Sequence, residues 1–280
     1  MKKLLFFFST AFLFSIHVSA QDHSCCSKNA IAQFAMLGKD KEFVNSHASP
    51  LPFNFQATTG KMVSFNTKQG PKGNAFEVKA EKPTDNYLFI FHEWWGLNDY
   101  IKREAERLQK ELGNVNVLAI DLFGQKVAQN PEDAQKQVSE LKYERGIDII
   151  NGAIGYAGSS AKIENIGWCF GGGWSMQAAL LEGKQDVGCV MYYGMPETDV
   201  KKLKTLNADV LGLFASQDKW INAQVVKKFQ EDMKAAGKIV TVKIFNADHA
   251  FANPSNPKYN KEATEEANRL AMDYLKKHLH

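Results

Sequence analysis

Disulfide scaffolds, membrane spans and polyanion binders each need something this sequence has little of. It carries 4 cysteines in 280 residues, too few for a disulfide framework at this length. Cys25 and Cys26 are adjacent, a spacing in which a mutual bond would be strained. The formal net charge is only +3, from 34 basic and 31 acidic residues. No basic stripe interleaved with aromatics occurs, so no nucleic-acid partner is expected. Beyond the N-terminus no apolar run approaches the roughly 18 residues of a spanning helix. Asp22, His23, Cys25 and Cys26 lack a second Cys-x-x-Cys or His-x-x-x-His pair to complete a tetrahedral site, so no metal is expected. No motif asks for an organic cofactor. Internal repeats and low-complexity stretches are absent.

One apolar run does exist, at the start. Lys2 and Lys3 precede an apolar stretch from Leu4 to Ile16, followed by Val18-Ser19-Ala20. This order is that of a secretory signal peptide covering residues 1–20, which predicts an exported protein, periplasmic or secreted. "DHS" before Cys25 is not the small apolar box of a lipoprotein, so no lipid anchor is expected. Losing Lys2 and Lys3 with the leader brings the chain close to neutrality.

Residues 21–58 are polar with short amphipathic patches such as "IAQFAML" and a proline-bearing "SPLPFNF". They read as an extension packed on, or leading into, one large domain at 59–280. "KMVSFNT" and "NAFEVKA" flank the turn-rich "KQGPKG", a hairpin signal. "NYLFIFH" is a continuous apolar run, as expected of a strand buried on both faces. From there helical and strand patterns alternate, with one helical stretch expected across 131–158 and a long amphipathic helix from about Lys261 to the end. Repeated βα units predict an α/β fold: a mostly parallel, doubly wound sheet with helices on both faces.

Ligand sites in such sheets lie beyond the carboxyl ends of the strands. Four residues with complementary chemistry fall there. Glu93 follows "YLFIFH", Cys169 follows "IENIGW", Asp218 follows "VLGLFASQ" and His249 follows "TVKIFNAD". The stretch "GWCFGGGWS" at 167–175 has the strand, glycine turn and helix of a nucleophile elbow, with cysteine where serine is usual. A thiol needs a base to become the attacking thiolate; His249 suits that task near neutral pH, and Asp218 suits holding the imidazole. The backbone N–H groups of Phe170 and Trp94 are the candidate oxyanion donors. Simpler readings stay open for all four: Cys169 also suits a packed small hydrophobe, His249 a capping or core residue, Asp218 a cap for the helix near Ile221, and Glu93 a partner for Arg103 or a nearby lysine. Cys189, in "DVGCVMYYG", reads as a core filler.

At these residues the sequence resembles the dienelactone hydrolase family of α/β-hydrolases. "FIFHEWWGLNDYIKREAERLQKELGNVNVLAIDLFG" is similar to the family segment opened by a His-Glu pair. "GWCFGGG", "MYYG", "ASQDKWIN" and "ADHAFANP" are similar to its cysteine elbow, next strand end, aspartate loop and histidine loop, and the likeness runs from about residue 60 to the C-terminus. It implies an α/β-hydrolase fold, a Cys169–His249–Asp218 triad and a thioester acyl-enzyme. It also implies that Glu93 approaches the thiol and switches it between a protected and an attacking state.

The arginines with which the family grips a substrate carboxylate fall here on Asn253 and near Glu140; Arg145 is close in sequence but out of register. Trp94, Trp95, Phe170, Tyr193 and Trp220 suggest a flat-sided apolar pocket, with Trp95, Tyr193, Trp220 and Asn253 expected to touch substrate. The expected partner is therefore a small ester or lactone. A peptidase or acyl-transfer activity on the same fold, or a non-catalytic binding protein, remains the alternative.

Overall fold

The structure is a computed structural model that describes residues 29–279. The expected signal peptide at 1–20, together with Cys25 and Cys26, lies outside the described residues.

Eight strands form one sheet in the order β1-β2-β4-β3-β5-β6-β7-β8. The expected hairpin is present as β1 (Lys61–Phe65) and β2 (Gly73–Val78), paired antiparallel, and β2 joins β4 (Asn116–Asp121) antiparallel. The remaining strands are parallel: β3 (Asn86–Phe91), β5 (Lys162–Trp168), β6 (Asp186–Tyr192), β7 (Val210–Ala215) and β8 (Val240–Phe245). The apolar run of β3 sits at the middle of the sheet with Leu88 to Phe91 fully buried, as a strand covered on both faces requires. This is the α/β-hydrolase architecture.

The crossover helices bury one stripe each. In α3 (Asp99–Leu112) the buried residues Ile101, Ala105, Leu108 and Leu112 recur at helical spacing, and Asn98 caps the start by accepting from the Ile101 N–H. The stretch at 131–158 is two helices, α4 (Pro131–Glu140) and α5 (Tyr143–Ala157), where the sequence pattern predicts one. Leu141 and Lys142 between them are extended. Packing accounts for the break. α5 presses Gly146 against the Trp174 ring and Gly152 against Phe65, contacts too close for any Cβ, whereas α4 leans away onto the N-terminal extension.

That extension holds two short helices, α1 (Ala30–Leu37) and α2 (Lys41–Asn45). Asn29 and Asp40 cap them by accepting from Ala32 and Glu42 N–H. Phe34 and Phe43 are fully buried, so the extension is part of the core. Its later part is tied to α3, where Glu106 accepts the N–H groups of Thr58, Thr59 and Gly60, each at 2.8 Å. The elbow helix α6 (Phe170–Glu182) lies beneath α1, and α7 (Val200–Leu203), α8 (Ala223–Ala235) and α9 (Lys261–Leu279) complete the layers. Among the described residues no helix is long and apolar enough to cross a membrane.

Candidate active site

The elbow places Cys169 one residue past β5 in a backbone conformation that side chains avoid, φ 54° and ψ −117°. Holding a non-glycine residue there costs about 1–3 kcal/mol. The neighbouring glycines make it possible. A Cβ on Gly167 would stand 2.1 Å from the Gly171 carbonyl oxygen, and one on Gly171 would stand 2.1 Å from the Phe91 carbonyl oxygen at the end of β3. The G-x-C-x-G spacing therefore lets the turn press against the central strand. Tyr193 and Ala250 also have positive φ, 35° and 59°. Three of the four such non-glycine residues described thus border one site, where stored strain characteristically collects.

Four strand ends converge. Glu93, Cys169, Asp218 and His249 lie just beyond β3, β5, β7 and β8, on the same edge of the parallel sheet. His249 Nε2 is 3.2 Å from Cys169 Sγ and its Nδ1 is 2.6 Å from Asp218 Oδ2. With the Nδ1 proton donated to the carboxylate, Nε2 offers a lone pair to the thiol; the network assigns this tautomer. Asp218 faces the imidazole and does not cap the following helix, which starts at Ala223 with Asn222 as its cap. Its other oxygen accepts from Trp220 and Ile221 N–H, each at 2.9 Å, which fixes the carboxylate that faces His249.

The electrostatics suit base-assisted thiol chemistry. Burial pushes the Cys169 thiol up, partly offset by the charge and hydrogen bond of His249. Burial alone would lower His249, but the charges of Asp218 and Cys169 outweigh it and raise it well above the usual histidine value. Burial also tends to raise Asp218, yet His249 and the N–H groups of Ile221 and Trp220 hold it below the ordinary carboxylate value. Each partner of the Cys169–His249 pair favours the charged form of the other, while burial opposes charge on both.

Glu93 does not pair with Arg103. Its Oε2 accepts a short hydrogen bond from the Asn253 side-chain amide, and Oε1 has no partner. Burial raises its carboxyl to about 7, although the His249 charge and the Asn253 amide pull the other way. The loop bearing Glu93 is locked by His92, which donates from Nδ1 to the Glu93 carbonyl at 2.6 Å and accepts the Leu122 N–H at Nε2. Asn253 is held in turn, its Oδ1 accepting from Ser255 N–H and Oγ–H.

A cavity of about 270 Å³ opens beside this pair. Glu93, Tyr193 and Asn253 line it, with Trp168, Arg103 and Arg107 among the other walls. Tyr193 and Asn253 thus stand where substrate contacts are expected. Trp95 and Trp220 do not: Trp95 is buried against Trp94, and Trp220 rests on Phe43 of the extension. Arg145 is spent on the hairpin loop, donating to Thr67, Gln69 and Pro71, and Glu140 is exposed at the end of α4. Cys169 itself is 1 % exposed and does not line the cavity, whereas Trp168 and Glu93 do.

Sequence reading missed the groups that close the other side. Phe34 packs on Phe170 with ring centroids 5.4 Å apart, and Phe43 on Trp94 at 5.5 Å. His47 lies among Trp94, Trp220 and His249. A ring nitrogen of His47, the Cys169 sulfur and a ring nitrogen of His249 all lie within 4.8 Å of one another, the one such group of potential metal ligands among the described residues. A lone histidine in a polar segment carries no pattern that would have singled it out. Arg103 and Arg107 could have been found, since with Tyr100 and Glu104 they repeat along the face of α3 beside its apolar stripe.

The model of the dienelactone hydrolase family matches residues 74–279. A provisionally named carboxymethylenebutenolidase of Aquifex aeolicus is 27% identical over 234 residues, covering 79% of this chain and 99% of that protein. The carboxymethylenebutenolidase of Pseudomonas sp. strain P51 is 24% identical over 229 residues, covering 77% of this chain and 94% of that one. Among solved structures, a dienelactone hydrolase-like promiscuous phosphotriesterase from metagenomic libraries superposes with a TM-score of 0.68 at 18% identity, covering 79% of this chain and 99% of the other; at that identity the likeness concerns the fold.

Proposed function

We propose, for a chain that belongs to the dienelactone hydrolase family, that Cys169, His249 and Asp218 hydrolyse a small ester or lactone through a thioester. The family makes it a carboxylic-ester hydrolase of dienelactone hydrolase type. One observation carries the finer reading: a single imidazole bridges the elbow sulfur at 3.2 Å and a buried carboxylate at 2.6 Å.

His249 Nε2 takes the thiol proton as Cys169 Sγ attacks the acyl carbon, and the carbonyl electrons move onto oxygen. The Phe170 N–H and the Trp94 N–H are the donors for that oxyanion. When the tetrahedral adduct collapses, the C–O bond breaks and the leaving oxygen takes the proton from His249, which leaves a thioester. Water then attacks the thioester, giving its proton to His249; the sulfur departs and recovers a proton. In a lactone the leaving hydroxyl stays tethered to the product.

Glu93 faces the acyl site from the cavity side. Its raised value near 7 lets the charge at the thiol change as substrate displaces it from Asn253, which is the form in which a protecting switch operates. Such protection has a purpose for an exported thiol exposed to oxidants, and we place the protein outside the cytosol on the signal-peptide pattern of residues 1–20. N-terminal sequencing of the protein recovered from the producing cells tests that placement: a start at Gln21 supports it and a start at Met1 removes it.

A screen of short-chain esters and lactones tests the activity. Wild type should turn over several, and Cys169→Ser and His249→Ala should each lose at least about 10³-fold in kcat/KM. Equal rates in the three proteins would reject the triad.

A further inference from the structure

His47 supplies something that no part of the family match contains. It lies outside residues 74–279, yet its ring reaches the triad, with centroids 5.4 Å from those of His249. Nδ1 donates to the Phe43 carbonyl at 2.7 Å, and Nε2 has no hydrogen-bond partner although the residue is only 5 % exposed. A buried lone pair left unmatched is costly and calls for a partner that the protein itself does not supply.

We propose that His47, Cys169 and His249 form a three-ligand site for a soft divalent cation such as Zn²⁺, and that the bound ion clamps the N-terminal extension over the nucleophile. The donor set is apt: two imidazoles and a thiolate suit Zn²⁺. Tetrahedral zinc with bonds of about 2.0 Å to nitrogen and 2.3 Å to sulfur needs donor atoms roughly 3.3–3.6 Å apart. Here one donor pair stands at 3.2 Å and all lie within 4.8 Å, so about an ångström of side-chain movement closes the site.

Each histidine is also oriented from behind, His249 by the Asp218 carboxylate and His47 by the Phe43 carbonyl. That outer support is what metal-binding imidazoles require. Both orienting bonds use Nδ1, so each Nε2 is left for the ion once the His249 Nε2–Cys169 Sγ hydrogen bond gives way to bonds to the metal. A fourth position remains for water. Binding converts the Cys169 thiol to thiolate and releases one proton to solvent.

The consequence for catalysis rests on the proposed role of Cys169 and His249; the binding itself does not. Metal on the sulfur blocks attack, and because His47 belongs to the extension, the same ion ties that segment down.

The test uses the full chain, reduced and metal-free, in a Cys25→Ser/Cys26→Ser background so that tail thiols do not compete. Co²⁺ is the probe. One equivalent should produce a thiolate-to-cobalt charge-transfer band together with tetrahedral visible bands, and Zn²⁺ should displace it. Cys169→Ser should abolish the charge-transfer band. His47→Ala and His47→Gln, with folding checked by circular dichroism, should each weaken Co²⁺ binding by at least about 100-fold. Zn²⁺ should also slow proteolysis within residues 29–58 of the background protein and not of His47→Gln. No charge-transfer band, or unchanged affinity in both His47 variants, overturns the site. A band that forms and shifts as expected while ester hydrolysis continues undiminished upholds the site and instead removes Cys169 as the nucleophile.

Discussion

Glu93 bonds to Asn253 while Cys169 faces His249. The carboxyl is bonded to an amide at the position where the resemblance places a substrate-gripping arginine. Burial keeps the Glu93 carboxyl raised, and the Asn253 amide, which carries no charge, offsets this only in part.

This has a stability consequence whose sign is fixed. An ordinary glutamate titrates near 4.5, and burial raises Glu93 to about 7 in the fold. Below pH 4.5 both folded and unfolded carboxyls are protonated and the group contributes nothing. Between 4.5 and about 7 the unfolded carboxyl ionises while the folded one keeps its proton, so stability falls as pH rises. Above 7 the penalty is complete, on the order of 3 kcal/mol. Glu93→Gln keeps a partner for Asn253 and should therefore be more stable than wild type at pH 8.5, by up to about 3 kcal/mol, and equal to it near pH 4. Thermal unfolding at the two pH values checks this.

The extension should gate the thiol. Phe43 is fully buried and touches Trp94, Trp220 and His249. Phe43→Ala removes roughly 3 kcal/mol or more of packing, and most of that loss should fall on the docking of α1 and α2. Local opening then becomes about 100-fold more frequent. Alkylation of Cys169 by iodoacetamide should accelerate by a similar factor while the main thermal transition moves little. Unchanged labelling would mean that substrate reaches the sulfur from the cavity side alone.

Much of this site was legible in the sequence because its chemistry sits at strand ends. Cys169 and Asp218 each follow an apolar run that reads as a buried strand, His249 follows the alternating edge strand β8, and parallel pairing brings those ends to one edge. The elbow was legible through Gly167 and Gly171, whose hydrogens are all that fits. What escaped was set by packing between distant segments. The break at Leu141–Lys142 follows from where α4 and α5 find surfaces, and neither surface is visible in the local pattern. His47 escaped for the same reason, since its place is fixed by Phe43 inserting among aromatics some fifty to two hundred residues away. Trp95 and Trp220 were expected in the pocket because they are aromatic and near the site in sequence; the first faces the core and the second faces the extension.

Arg103 should govern the choice between charged and neutral substrates. Its guanidinium lies 4.7 Å from the Phe53 ring centroid and 5.4 Å from that of Tyr100, and it lines the cavity without an ion pair among the described residues. Arg107, by contrast, is engaged by Glu104 and Glu111. A charge-assisted hydrogen bond to a substrate carboxylate contributes about 1.5–3 kcal/mol. Arg103→Gln should raise KM for an anionic ester by at least about tenfold and leave KM for a neutral ester of equal size nearly unchanged. Parallel changes for both esters would assign Arg103 to holding Phe53 and Tyr100 in place.

The central claim is that the Cys169 sulfur becomes acylated during turnover. Acid-quenching wild-type protein within the first turnovers of a p-nitrophenyl ester, then digesting it and weighing the peptides, reads this directly. The peptide containing Cys169 should gain the mass of the acyl group, the adduct should be lost on treatment with hydroxylamine, and Cys169→Ala should show neither adduct nor hydrolysis. Undiminished hydrolysis by Cys169→Ala, or an acyl group found on another residue, would contradict the account.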